Sequence, residues 1–188
     1  MNRRPRSVKD AVCLDLLVNS ASLLMVEELY PAEIAQLGYS FYSTERGIAF
    51  KVSGLNDKLH LLLETMTRVF CDYKARITPT LFKAVAEQTK KNYYNAFIKP
   101  SKLNTDARLS LIQQPYRQTC QKHAVVLDLS MDDVNAFLDR FRAKIFIQGL
   151  AQGNVTEAEA VALFEALASK GPNTLHRRYF CTYQYMYL

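Results

Sequence analysis

This 188-residue sequence holds no window of eighteen uncharged apolar residues, so no segment is long and apolar enough to cross a bilayer as a helix. Histidine is scarce. His60, His123 and His176 are the three present, and no two lie within five residues of each other. The H-E-x-x-H zinc motif and its inverse both need such a pair on one helix, so neither occurs. No G-x-S-x-G elbow is present, and no Cys–His arrangement is readable along the chain. The four cysteines, Cys13, Cys71, Cys120 and Cys181, are scattered without a C-x-x-C pair. The basic start "MNRRPRSVKD" leads into no apolar core with a small-residue cleavage site, so a secretory signal is not expected. Scattered thiols without such a signal point to a reducing, cytoplasmic setting and to inert, mostly buried cysteines.

What is there is ordinary globular material, 49% hydrophobic and 22% charged, of a length that suits one domain. The net charge of +6 invites a nucleic-acid reading, but its placement weakens it. Arg3, Arg4 and Arg6 at one end and Arg177 and Arg178 at the other account for most of the excess, and the body is close to neutral. A nucleic-acid surface clusters charge along one face between aromatics, so neither nucleic acid nor membrane is the expected partner.

Residues 7–37 read as helix with a break at "YPAE", where Pro31 suits a first turn. Val12, Leu16, Asn19, Leu23 and Val26 recur at helical spacing and form one expected buried stripe. Gly38 is placed to cap that helix. "YSFYST" and "GIAFKVSG" alternate with period two across a short turn and predict a hairpin, with Tyr39 and Phe41 on one face of the first strand and Ile48, Phe50 and Val52 on one face of the second. Four helices follow, one capped by Asn56, one opened by Thr78 and Pro79, one over "KLNTDARLSLIQ", and one capped by Ser130. "IFIQGLAQ" predicts a third strand, and residues 156–168 a final helix. "GPNTLHRRYFCTYQYMYL", with Tyr179, Tyr183, Tyr185 and Tyr187, has no clear period and reads as a tail. The order predicts an α+β fold in which helices pack on one face of an antiparallel sheet, not alternating βαβ units. Three strands are few for so many helices.

Each candidate site has a structural reading beside it. "GLAQGNVT" carries Gly149 and Gly153 between strand and helix, the layout of a phosphate cradle. Its glycine spacing is one residue short, and Asn154 stands where the lysine belongs. Gly153 and Asn154 suit a left-handed turn, and Thr156 with Glu159 forms a T-x-x-E capping box. His60 and Glu64 lie one helical turn apart, yet a zinc site needs a third protein ligand. Glu27, Glu28 and Glu33 read as a solvated helix face. "KKNYYNAFIKP" mixes Lys90, Lys91 and Lys99 with Tyr93, Tyr94 and Phe97, which fits either a partner-binding surface or core. No catalytic, metal-binding or cofactor-binding residue emerges.

Three ordered blocks carry a resemblance. "EELYPAEIAQLGYSFYSTERGIAFKVSGLNDKLHLLLE", "EQTKKNYYNAFIKPSKLNTDARLSLI" and "FIQGLAQGNVTEAE" together resemble the middle (third) domain of the M16 zinc metallopeptidases, the insulin-degrading-enzyme and nardilysin group. The lysine pair, "N-x-x-I-K-P" and "Q-G-N-V-T" favour the nardilysin branch. The resemblance runs over residues 7–168.

It implies a cytosolic peptidase of four domains whose two halves close around a peptide. Zinc is implied for the first domain of the full-length enzyme and no cofactor for this one, which walls the chamber and packs against its neighbours. Catalytic and metal residues are implied to be none here, and the chain alone is implied to be inactive. The resemblance also implies a strand before the first helix, where this sequence has only "MNRRPR". Residues 1–6 are expected to be a basic non-domain segment, 7–170 a truncated domain and 171–188 a divergent tail, as in a fragment or an alternatively spliced product. A different class of function stays open, that of a free-standing module that binds an M16 partner or an acidic protein.

Overall fold

The computed structural model describes residues 7–45, 47–113, 116–143, 145–169 and 175–182. Helix α1, Val8–Ile34, runs through the centre and is contacted by both strands of the hairpin and by four other helices. Ser7 starts it, its hydroxyl accepting the Asp10 N–H at 3.1 Å. The first turns are buried almost all round, with Val12, Leu16 and Leu17 fully enclosed. Farther along, the buried face narrows to Ala21, Met25 and Leu29. Leu23 and Val26, expected on the buried stripe, are each 52% exposed, and Asn19 is exposed too. Both sets have helical spacing and the helix is apolar on several sides, so periodicity alone does not select the covered face.

Pro31 lies inside α1 without ending it. The helix stops at Ala35, and the left-handed residue is Gln36 (φ 59°), not Gly38. The Leu37 N–H donates to the Ala32 carbonyl at 2.9 Å and the Gln36 N–H to the Glu33 carbonyl at 3.0 Å. That pair of bonds is a Schellman closure with glutamine in the position glycine usually fills. Gly38 instead begins β1, Gly38–Thr44, which pairs antiparallel with β2, Gly47–Ser53. Phe41 sits directly opposite Phe50, and their ring centroids are 4.7 Å apart. Both rings reach Phe70 of α2, Asn56–Cys71, at 5.8 Å, so the hairpin packs on that helix. The cap position of α2 is Leu55, which provides no side-chain cap; Asn56 lies one residue inside.

The short α3, Tyr73–Arg76, precedes α4, Pro79–Phe97, which opens as expected: Thr78 Oγ1 accepts the Leu81 N–H at 3.3 Å and Pro79 fills the first turn. Helix α5, Pro100–Ile112, and α6, Thr119–Val125, lead through a 3₁₀ turn to α7, Met131–Arg142. Ser130 and Asp133 form a reciprocal capping box at the start of α7. Tyr73, Met66, Val134 and Leu138 join the core around α1.

The strand β3, Ile145–Gln152, does not extend the hairpin. It pairs in parallel with β4, Leu175–Thr182, across α8, Glu157–Ser169, so the described residues hold two separate two-stranded sheets, the second a βαβ unit. The α+β class and the antiparallel sheet packed against helices stand; the third strand lies not in that sheet but in a second, parallel pair. Neither alternate set in "LHRRYFCT" is apolar throughout, so the period-two signal that marks a strand is absent from β4.

Candidate functional site

One charge stands alone in the apolar run "AVCLDLLV" of α1, and it gathers the most polar site of the described residues. Asp15 Oδ1 accepts the Ser43 hydroxyl of β1 at 2.5 Å. Its Oδ2 accepts the Tyr93 hydroxyl of α4 at 2.5 Å and the Lys122 ammonium of α6 at 3.1 Å. A buried charge is tolerated only when paired and hydrogen-bonded, and three other elements converge on α1 to satisfy this one. Nothing at the spacing of these residues announces the grouping. The lone acidic side chain among buried apolar neighbours is the signal that finds it.

The cluster borders a cavity of about 300 Å³ whose rim also includes Thr44, Glu45, Gln113 and Tyr116. Tyr116 donates to Asp106 Oδ1, and Asp106 Oδ2 accepts the Thr119 N–H at 2.7 Å. Burial, reinforced by the neighbouring Asp15 charge, raises the Tyr93 hydroxyl above its ordinary pKa. Burial and the bond to Asp106 raise Tyr116 likewise. Both phenols are thereby held protonated as donors, not as bases. Asp15 has three donors on its two oxygens, so it is occupied as a structural anchor.

The glycine turn resolves into packing. Gly153 takes φ 124°, but Asn154 does not use the left-handed region. A Cβ on Gly149 would lie 2.7 Å from the Phe164 ring, so glycine lets α8 close on β3. The expected capping box forms: Glu159 Oε2 accepts both the Thr156 N–H and its hydroxyl at 2.9 Å, and Thr156 Oγ1 accepts the Glu159 N–H at 3.3 Å. The bond from the Thr156 backbone holds the Glu159 carboxyl below its ordinary pKa. The helix start is therefore already occupied by a carboxylate, which repels a phosphate.

His60 and Glu64 are exposed on α2. No three His, Cys, Asp or Glu side chains among the described residues group as metal ligands, so the pair does not fit the zinc of the family. Glu28 is clamped by Arg68 at 2.9 Å and by Arg76, tying α1 to α2 and α3, while Glu27 and Glu33 are exposed. His123 packs against Tyr94 and Phe97 with centroids at 5.9 and 5.4 Å. The lysines Lys90, Lys91 and Lys99 therefore flank a small aromatic group, whereas Tyr93 turns inward to Asp15. Cys13 is a buried free thiol and Cys120 an exposed one. The side chains of His176, Arg177, Arg178 and Cys181, and all of Arg3, Arg4, Arg6, Tyr183, Tyr185 and Tyr187, lie outside the described residues.

No described helix is long and apolar enough to cross a membrane.

Comparison with known proteins identifies this arrangement. Residues 2–125 match the family model for the middle or third domain of peptidase M16. Nardilysin of Homo sapiens is 32% identical over 166 residues, which cover 88% of this chain and 14% of that protein. A nardilysin-like protein of Arabidopsis thaliana is 32% identical over 82% of the chain and 15% of its own length. The crystal structure of pitrilysin superposes with a TM-score of 0.74 at 17% identity, covering 90% of this chain and 18% of that one, which shows a shared fold. The chain thus spans about a seventh of the length of the curated relatives named here. It belongs to the peptidase M16 family and corresponds to the family's middle or third domain.

Proposed function

We propose that this chain is a non-catalytic middle domain of a nardilysin-like M16 metallopeptidase that packs against other domains and helps enclose the peptide substrate. One observation carries the reading. Leu23, Val26, Tyr30 and Ile34 form a stripe on α1 at spacings of three and four residues, and each is more than half exposed. The opposite side of the same helix already buries Met25 and Leu29 to 1% exposure, so the core does not need the stripe. A contiguous apolar helix face turned to solvent marks a contact surface. In a chain that covers 14% of a relative's length, another domain of the same enzyme is the natural occupant.

On this reading zinc and the hydrolytic residues belong to another part of the full-length enzyme, which works in the cytoplasm, and the Asp15 cluster keeps the domain rigid. The purified chain, supplied with zinc and a dibasic peptide, is expected to give no turnover. Chelator-sensitive hydrolysis above background would overturn the proposal.

A further inference from the structure

Helix α5 is attached to the body in an unusual way. Its one buried residue is Asp106, fixed by the Tyr116 hydroxyl and the Thr119 N–H. Leu109 turns toward the cavity beside Asp15, but other apolar side chains are left outside: Leu103 is 53% exposed and Leu111 84%, one face of the helix with Ala107 between them. A thirteen-residue helix is marginal in isolation and draws its stability from a covered apolar face, and the described residues leave the Leu103–Leu111 face uncovered here.

The chain that forms this face, from the end of α4 through α5, carries exposed charges of one sign. From residue 90 to 113 the basic side chains are Lys90, Lys91, Lys99, Lys102 and Arg108, and the sole acidic one is the buried Asp106. None of the five basic side chains makes an ion pair among the described residues. Ile98, at the end of α4, extends the apolar surface and is 51% exposed. A polar latch beneath, an apolar stripe above and a uniformly basic rim together specify complementary chemistry.

We infer that the α4–α5 face docks an acidic amphipathic segment of a protein partner, whose apolar side chains cover Leu103 and Leu111 while its carboxylates meet Lys102 and Arg108. The inference stands on the surface itself and not on the packing role of α1, so its failure would leave that role untouched.

The test is fluorescence anisotropy of the full chain with a labelled helical peptide bearing leucines at i, i+4 spacing among glutamates. A single-stranded RNA oligonucleotide serves as the second probe. Lys102→Glu with Arg108→Glu is expected to weaken the peptide by about tenfold or more, and Leu103→Ser with Leu111→Ser by a comparable factor. Lys51→Glu, on β2, is expected to change nothing. These side chains are exposed, so folding is checked by circular dichroism alone. Peptide binding that survives either double variant overturns the inference. So does RNA binding as tight as the peptide's with no response to the leucine changes, which would make the face a general polyanion surface.

Discussion

Lys122 Nζ lies 3.1 Å from Asp15 Oδ2, and the two side chains are 17% and 15% exposed. The same carboxylate holds Ser43 and Tyr93, so four elements are tied at one point. Asp15→Asn removes the charge and leaves an enclosed ammonium without its counterion. Allowing for the residual exposure, a loss of roughly 2–3 kcal/mol is expected. Urea denaturation checks it, and Asp15→Asn with Lys122→Met is expected to recover part of the loss. A single variant as stable as the parent would remove the cluster from the account.

Gln36 occupies a left-handed conformation that costs non-glycine residues about 1 kcal/mol. Gln36→Gly is expected to stabilise by roughly 0.5 kcal/mol once the extra chain entropy of glycine is included, whereas Gln36→Val is expected to destabilise by about 1 kcal/mol or more. Thermal midpoints of the two variants should move in opposite directions.

Gly149→Ala places a methyl group 2.7 Å from Phe164 and is expected to cost about 1–3 kcal/mol. Combining it with Phe164→Leu should relieve part of the cost. Isothermal titration with nucleoside triphosphates is expected to show no heat for the parent or for either variant, in keeping with a packing role for this turn.

Two opposite pH limits follow from the titrating groups. Hydrogen bonds from the Ser130 and Thr156 backbones hold Asp133 and Glu159 below their ordinary values. Their contribution is complete above the unfolded carboxylate range, near pH 4, and is lost as pH falls through the lower folded values. Asp133→Asn and Glu159→Gln are each expected to flatten the acid limb of the melting profile. Burial first, then the charges of Asp10 and Asp133, push the Cys13 thiol from 9.0 to about 12. Its contribution is complete below pH 9 and is lost as pH rises toward 12, because the unfolded thiol ionises first. Cys13→Ala is expected to give a shallower decline above pH 9. Exposed Cys120 should be alkylated well before buried Cys13 in the native protein.

Local chemistry was the legible part of this sequence. Thr78 with Pro79, Ser130, and the Thr156–Glu159 box each act within three residues, and all three form where they were read. The hairpin was legible because glycine bounds two alternating runs. Long-range choices were not. Ser43, Tyr93 and Lys122 reach Asp15 across 28, 78 and 107 residues, and no local pattern encodes such a meeting. The covered side of α1 depends on what surrounds it, so Leu23 and Val26 were read as buried although Met25 and Leu29 fill the covered side. The second sheet needed β4, whose arginines mask the alternation.

Leu23 and Val26 lie on the face of α1 that also carries Tyr30 and Ile34, each more than half exposed. The proposed packing role rests on the exposed stripe of α1, so its direct test is the chain's affinity for an M16 peptidase of the nardilysin group lacking its middle domain. The intact chain is expected to bind and to co-elute with it, and Leu23→Lys with Tyr30→Lys, both at exposed positions, is expected to abolish co-elution while leaving the circular dichroism unchanged. Binding undiminished by these changes, or no binding by the intact chain, would contradict the account.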